Sequence, residues 1–232
     1  MKLSAKDLAR LIDISAVRTP HGEREIREMV ANAKEYRFIA VHVLPCWVTF
    51  LRELLAGETD IMIGAPVGFP SGAHKTEVKI AEAKALIADG VQEMDMMINV
   101  GRLRSGQFGL VQEDIRSVVA AAGSVPVKVI IEAPYLDDDE IKKACEMCIA
   151  GGAAFIKTST GWVPNGSTLE MVRLITSFVG SAIKVKAAGA VRDLDTVTRM
   201  LRMGVARFGI NMNSAMELVR QVAALPGGVV EV

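Results

Sequence analysis

Residues 154–189 read AFIKTSTGWVPNGSTLEMVRLITSFVGSAIKVKAAG, and the order of patterns inside this stretch decides the fold. A short β-branched and apolar run, Ala154–Thr160, is followed by Asn165-Gly166-Ser167, a turn and capping signal. Ser167–Phe178 then carries its apolar residues at helical period, and Ala182–Gly189 is again strand-like. Strand, capped helix, strand is the repeating unit of an α/β fold.

Working outward, the same alternation covers the chain. Further strands are predicted at Leu11–Ser15, Ile39–Leu44, Ile61–Val67, Glu93–Asn99, Val127–Ala133 and Ala206–Asn211, with helices such as Glu77–Asp89 and Asp137–Ala150 between them. Asp193 and Asp195 mark another helix start. Eight strands, each followed by a helix, in this length predict a (β/α)8 TIM barrel forming one domain over residues 1–232. A short helix over Ala5–Leu11 precedes it and is placed to cover the lower face. The alternative, a doubly wound open sheet, uses the same units. In its dinucleotide-binding form it carries G-x-G-x-x-G after the first strand, where this chain reads VRTPHGERE (residues 17–25).

Composition excludes other classes. The chain has 232 residues, half of them hydrophobic, and equal numbers (27 each) of basic and acidic side chains. Such a chain can bury a core and is not disordered. A formal net charge of zero argues against a nucleic-acid partner. No apolar run is long enough to cross a bilayer, and the N-terminus lacks the uninterrupted apolar core of a signal peptide. Three cysteines make no disulfide framework, so a reducing, cytoplasmic setting is expected.

Alternation along barrel strands assigns side chains to the lumen. With Met94, Met96 and Ile98 facing the helices, Glu93, Asp95 and Asn99 point inward. The same parity sends inward Phe155, Lys157 and Ser159; Lys184 and Lys186; Asp13 and Ser15; His42; Glu132; and Arg207 with Asn211. A purely structural barrel would fill these positions with Val, Ile and Leu. Charges there must pair or titrate. One reading is a structural ion-pair network among Asp13, Asp95, Glu132 and the lysines. The other rests on Lys157 and Lys186, near the C-terminal ends of adjacent strands, where barrel enzymes build their sites. A lysine that is desolvated beside another cation releases its proton more readily, which makes its amine a nucleophile toward a carbonyl.

Specific strings go further. FIKTSTGW (Phe155–Trp162), VKAAGAVRD (Val185–Asp193), EMDMMINVGRLRSG (Glu93–Gly106), GFPSGAHKTEVKIAEAKALI (Gly68–Ile87) and VKVIIEAPYLDDDEIKKACEM (Val127–Met147) resemble the signature segments of deoxyribose-phosphate aldolases, in the same order along nearly the whole chain. That resemblance implies a class I aldolase that needs no metal or cofactor and reversibly cleaves 2-deoxy-D-ribose 5-phosphate to D-glyceraldehyde 3-phosphate and acetaldehyde. It implies Lys157 as the Schiff-base lysine and Lys186 as the second lysine that lowers the pKa of the first. Asp95 would be the carboxylate of the proton relay, and Asp13 an acidic residue beside the second lysine. Homo-oligomerisation and a small sugar-phosphate or aldehyde substrate are implied as well.

The departures from the family pattern cluster at the substrate end. The last strand reads Arg207-Phe208-Gly209-Ile210-Asn211-Met212, without the paired serines that the family places on the phosphate. Gly189-Ala190 replaces a glycine pair, Asp13-Ile14-Ser15 replaces Asp-His-Thr, and His42 stands where many members have cysteine. The C-terminal tyrosine that some members use as a proton carrier is not present in LPGGVVEV. Substrate contacts are therefore expected from Ser15, His42, Thr160, Gly161, Gly189, Ala190, Gly209 and Asn211, with backbone N–H groups taking over part of the anion binding. A second reading stays open, in which the imine chemistry acts on a different or non-phosphorylated sugar or aldehyde. A barrel that binds a sugar without turnover, and an isomerase using Glu132 with His42, are the weaker readings.

Three other features receive structural readings. Cys145 and Cys148 lie mid-helix, Cys46 reads as a buried small hydrophobe, and His21 and His74 read as loop residues.

Overall fold

A computed structural model of the chain describes residues 2–164 and 166–232. Asn165 of the predicted Asn165-Gly166-Ser167 turn lies outside the described residues. The strands are β1 (Lys2–Ser4), β2 (Ile12–Ala16), β3 (Ala40–Val43), β4 (Met62–Val67), β5 (Glu93–Met97), β6 (Val127–Ile130), β7 (Phe155–Lys157), β8 (Lys184–Ala188), β9 (Arg207–Gly209) and β10 (Val229–Glu231). The helices are α1 (Ala5–Ala9), α2 (Glu23–Tyr36), α3 (Val48–Leu54), α4 (Thr76–Asp89), α5 (Val100–Arg104), α6 (Phe108–Ala122), α7 (Asp138–Ala150), α8 (Leu169–Val179), α9 (Leu194–Arg202) and α10 (Met212–Ala224).

Strands β2 to β9 form a closed barrel in sequence order, every neighbouring pair parallel, as a (β/α)8 TIM barrel requires. Ile12, Ile14, Val41, Met94, Met96, Val129, Ile156, Val185 and Phe208 face outward and are buried between sheet and helices. No described helix is long and apolar enough to cross a membrane.

Local chemistry sets the helix starts that position the site loops. Asp137 caps α7 by accepting N–H bonds from Asp139 and Glu140, and the Glu140 carboxylate in turn accepts from the Asp137 N–H. The acidic run therefore serves the helix N-terminus, where its charge also meets the positive end of the dipole. Asp193 caps α9, and Asn211 caps α10 through the Ser214 N–H.

The predicted N-terminal helix is present as α1. It lies at the N-terminal end of the barrel, where the following Arg10 donates to the carbonyls of Arg37 and Phe38 just ahead of β3. Two features were not expected. β1 and β10 form a small antiparallel ribbon outside the barrel. Lys79 on α4 is fully buried, bonded to Asp114 on α6 (2.5 Å) and to the Met97 carbonyl (2.8 Å).

Two expectations are corrected. Asn99 does not face the lumen; β5 ends at Met97, and Asn99 turns out to cap α5 by accepting from the Arg102 N–H. Cys46 is exposed rather than buried, because the chain after β3 enters a surface 3-10 turn at Pro45–Trp47. Cys145 and Cys148 are buried and free of disulfides, and burial pushes the Cys145 thiol up to about 12.

Candidate active site

A cavity of about 300 Å³ opens at the C-terminal ends of the barrel strands, a size that suits a small metabolite. Its floor holds Asp13, His42, Asp95, Lys157 and Lys186; its rim holds Arg18, His21, Phe69, Trp162, Ala190, Arg192 and Asn211.

The floor is built by register. Lys157 of β7 pairs with Lys186 of β8, so two successive strands bring the two amines side by side. Asp95, from β5, stands between them: its Oδ2 is 2.7 Å from Lys157 Nζ and 2.8 Å from Lys186 Nζ. Lys186 Nζ also lies 2.6 Å from Asp13 Oδ2, and Arg207 donates to Asp13 Oδ1 at 2.6 Å. Below this layer Lys128 Nζ approaches Glu93 (2.7 Å), Asp95 (3.4 Å) and Asp13 (4.0 Å). Parity along β6 carries this lysine inward with Glu132, yet sequence reading singled out only Glu132. Lys184 shares the parity of Lys186 but lies exposed at the opposite end of the barrel, 5.5 Å above the Phe155 ring.

Burial and charge push the two paired lysines apart. Burial disfavours the Lys157 ammonium most, and Lys186 adds to that, so its pKa falls below the ordinary lysine value despite Asp95. Burial acts the same way on Lys186, but Asp13, Asp95 and Glu93 outweigh it and hold the ammonium above its ordinary value. Burial alone would raise Asp13 and Asp95. The lysines around them reverse that and hold both carboxylates below the usual range. Opposed shifts of neighbouring groups are the arrangement that divides acid from base roles.

The segment after Lys157 is fastened by side chains rather than by a longer strand. Thr158 exchanges bonds with Ala188 through its hydroxyl, and Ser167 bonds to both Thr158 Oγ1 (2.6 Å) and the Ala188 carbonyl (2.7 Å). Glu132, in left-handed conformation, accepts from the Thr160 N–H (3.0 Å) and hydroxyl (2.6 Å). Thr160 thus lines the cavity with its hydroxyl committed to Glu132 and to the Trp162 N–H. Glu132 is a loop anchor, which removes it from the isomerase pairing with His42.

His42 pairs in register with Ser15 and stands 3.4 Å from Glu93 Oε1 and 3.5 Å from Asp95 Oδ1. It fits because its neighbour is glycine: a Cβ on Gly64 would come within 2.3 Å of His42 Nε2. Asp13, His42 and Glu93 are close enough to hold a metal ion. The Lys128 ammonium already stands among these groups as their cation.

Ser15, Gly161, Gly189, Ala190, Gly209 and Asn211 all line the cavity as expected. Two carry local constraints. Ala190 is held at φ +61°, a conformation costly for a residue with a Cβ. The Asn211 amide is engaged at both ends with Ser214, as the α10 cap.

Comparison with known proteins agrees with this geometry. Residues 12–213 match the profile of the DeoC/LacD family aldolases. The deoxyribose-phosphate aldolase of Rhizobium meliloti is 51% identical over 97% of this chain and 91% of its own. That of Klebsiella pneumoniae is 44% identical over 94% of this chain and 88% of its own. A solved aldolase structure superposes with a TM-score of 0.87 at 38% identity, covering 95% of this chain and 99% of the other. The tetrameric deoxyribose phosphate aldolase of Aeropyrum pernix gives 0.84 at 27% identity, with 96% and 94% covered. A parallel eight-stranded barrel with two lysines on one carboxylate at its C-terminal mouth, matched over nearly its whole length by named relatives, belongs to the DeoC/LacD family of aldolases.

Proposed function

We propose that the chain is a class I deoxyribose-phosphate aldolase, an aldehyde-lyase of carbohydrate catabolism, with Lys157 as its imine-forming residue. The observation that carries this reading is Asp95 bridging Lys157 and Lys186 on the cavity floor. Charge balance supports the choice of Lys157. Three buried carboxylates, Asp13, Glu93 and Asp95, face Lys128, Lys186 and Arg207, so the cluster is neutral when Lys157 carries a free amine. Lys157 is also the more open of the two lysines, its side chain 12% exposed against 2% for Lys186.

In the cleavage direction the Lys157 amine adds to C1 of the open-chain sugar and expels water, giving a protonated imine. The C3 hydroxyl loses its proton to the relay of Asp95, Lys186 and water. The C2–C3 bonding pair then flows into the imine, releasing D-glyceraldehyde 3-phosphate and leaving an enamine on Lys157. Protonation of that enamine at C2, followed by addition of water, releases acetaldehyde and restores the amine.

Three free cysteines support a reducing cytoplasm. The tetrameric Aeropyrum pernix relative supports a homo-oligomer, which sedimentation would check. Incubation with 2-deoxyribose 5-phosphate should release acetaldehyde and glyceraldehyde 3-phosphate in equal amounts, and Lys157→Met should abolish both. Product formation that survives Lys157→Met would overturn the assignment.

A further inference from the structure

The rim raises a question that the floor does not answer. Of the carboxylates lining the cavity, Asp13 and Asp95 are on the floor and already matched by lysines. The rim cations Arg18 and Arg192 have no carboxylate partner among the described residues. A mouth with unmatched positive charge suits a substrate whose far end is anionic.

Arg18 is the rim cation whose position is built. The loop after β2 closes on itself: the Arg18 N–H donates to His21 Nδ1 (3.3 Å), and the His21 N–H donates to the Arg18 carbonyl (3.0 Å). The guanidinium crosses the mouth, donates from Nη2 to the Gly161 carbonyl (2.6 Å) and lies 5.5 Å from the Trp162 ring centroid. Trp162 is in turn braced edge-on by Phe69, ring centroids 5.4 Å apart. One N–H is used in this clasp, and the planar fork keeps others for a ligand. The clasp ties the β2 loop to the segment that follows Lys157, so the charge is held at a set place on the cavity that Lys157 also lines. Meanwhile Asn211 spends its amide on Ser214, so it is not free to meet an anion.

We propose that Arg18 is a specificity-determining residue, holding the terminal phosphate of a substrate whose carbonyl carbon is at Lys157. The proposal rests on the deoxyribose-phosphate reading above. Its test compares kcat/KM for 2-deoxyribose 5-phosphate and for 2-deoxyribose in the wild type, Arg18→Met and Arg18→Lys. Arg18→Met should lower the ratio between the two sugars by about tenfold or more, the worth of one charge-assisted hydrogen bond. Arg18→Lys, which keeps the charge and loses the fork, should fall between. A wild type that prefers the phosphorylated sugar, with that preference unchanged in Arg18→Met, overturns the role of Arg18 alone. So does an equal loss on both sugars, which marks a purely structural residue. A wild type with no preference overturns the phosphate reading itself, and the role of Arg18 with it.

Discussion

Replacing Lys128 with methionine removes one cation from a buried cluster that is otherwise matched. The lysine is fully buried, and its Nζ lies within 2.7–4.0 Å of Glu93, Asp95 and Asp13. Methionine fills most of the same volume, so the loss is chiefly electrostatic. Three carboxylates would then face only Lys186 and Arg207 as fixed cations. Breaking a buried ion pair by removing one partner costs roughly 3–5 kcal/mol, because the remaining charge is left unpaired. In a chain of this size that corresponds to a fall in Tm of about 10 °C. Keeping the proton on Lys157, which shares Asp95 with this cluster, is one way in which neutrality is recovered. Lys128→Met should therefore also move imine formation to higher pH. Urea unfolding followed by circular dichroism measures the first effect, and borohydride trapping with acetaldehyde across pH measures the second. A stability change under about 1 kcal/mol together with an unmoved pH profile would refute the charge-balance reasoning.

Three other outcomes follow from the same geometry. Lys186→Leu removes a cation that disfavours the Lys157 ammonium and leaves Lys157 as the only lysine on Asp95 Oδ2, so imine formation should need higher pH; Lys186→Arg should keep the charge yet lose turnover, and an unchanged pH–rate profile in Lys186→Leu would contradict the coupling. His42→Cys should lower turnover about 10²-fold, in the range of acid–base contributions, with Lys157 trapping retained; full turnover would mean that the histidine only fills the space above Gly64. Asp13 and Asp95 are held below the ordinary carboxylate value, so the stability they contribute is complete above about pH 4 and lost as pH falls through their lowered folded values; the urea midpoint should stay level from pH 7 to 5 and drop below 4, more gently in Asp95→Asn.

The fold was legible because each barrel unit announces itself locally. β-branched runs, helical periods and capping residues such as Asp137 and Asp193 recur in order, and the eight expected strands are the eight of the barrel. Strand ends were less legible, since hydrogen-bonded pairing stops where a cap begins. Asn99 and Asn211 therefore both proved to be helix caps beyond their strands. The ribbon of Lys2–Ser4 with Val229–Glu231 joins three-residue segments from opposite ends of the chain, too short for any periodic signal. In the site, alternation alone carried Asp13, His42, Glu93, Asp95, Lys157, Lys186 and Arg207 inward, because the apolar residues between them are the ones that pack against the helices. Lys128 follows the same parity and was overlooked beside Glu132. The Lys79–Asp114 pair and the Arg18–Trp162 clasp depend on contacts between distant segments, which spacing along one element does not encode.

The most direct test of the account is covalent. Incubation with acetaldehyde and borohydride, followed by peptide mass spectrometry, should add a reduced two-carbon fragment to Lys157 and leave Lys128, Lys184 and Lys186 unmodified. A fragment on Lys186 with Lys157 clean would contradict the assignment of the two lysines, and no fragment on any lysine would contradict imine chemistry in this barrel altogether.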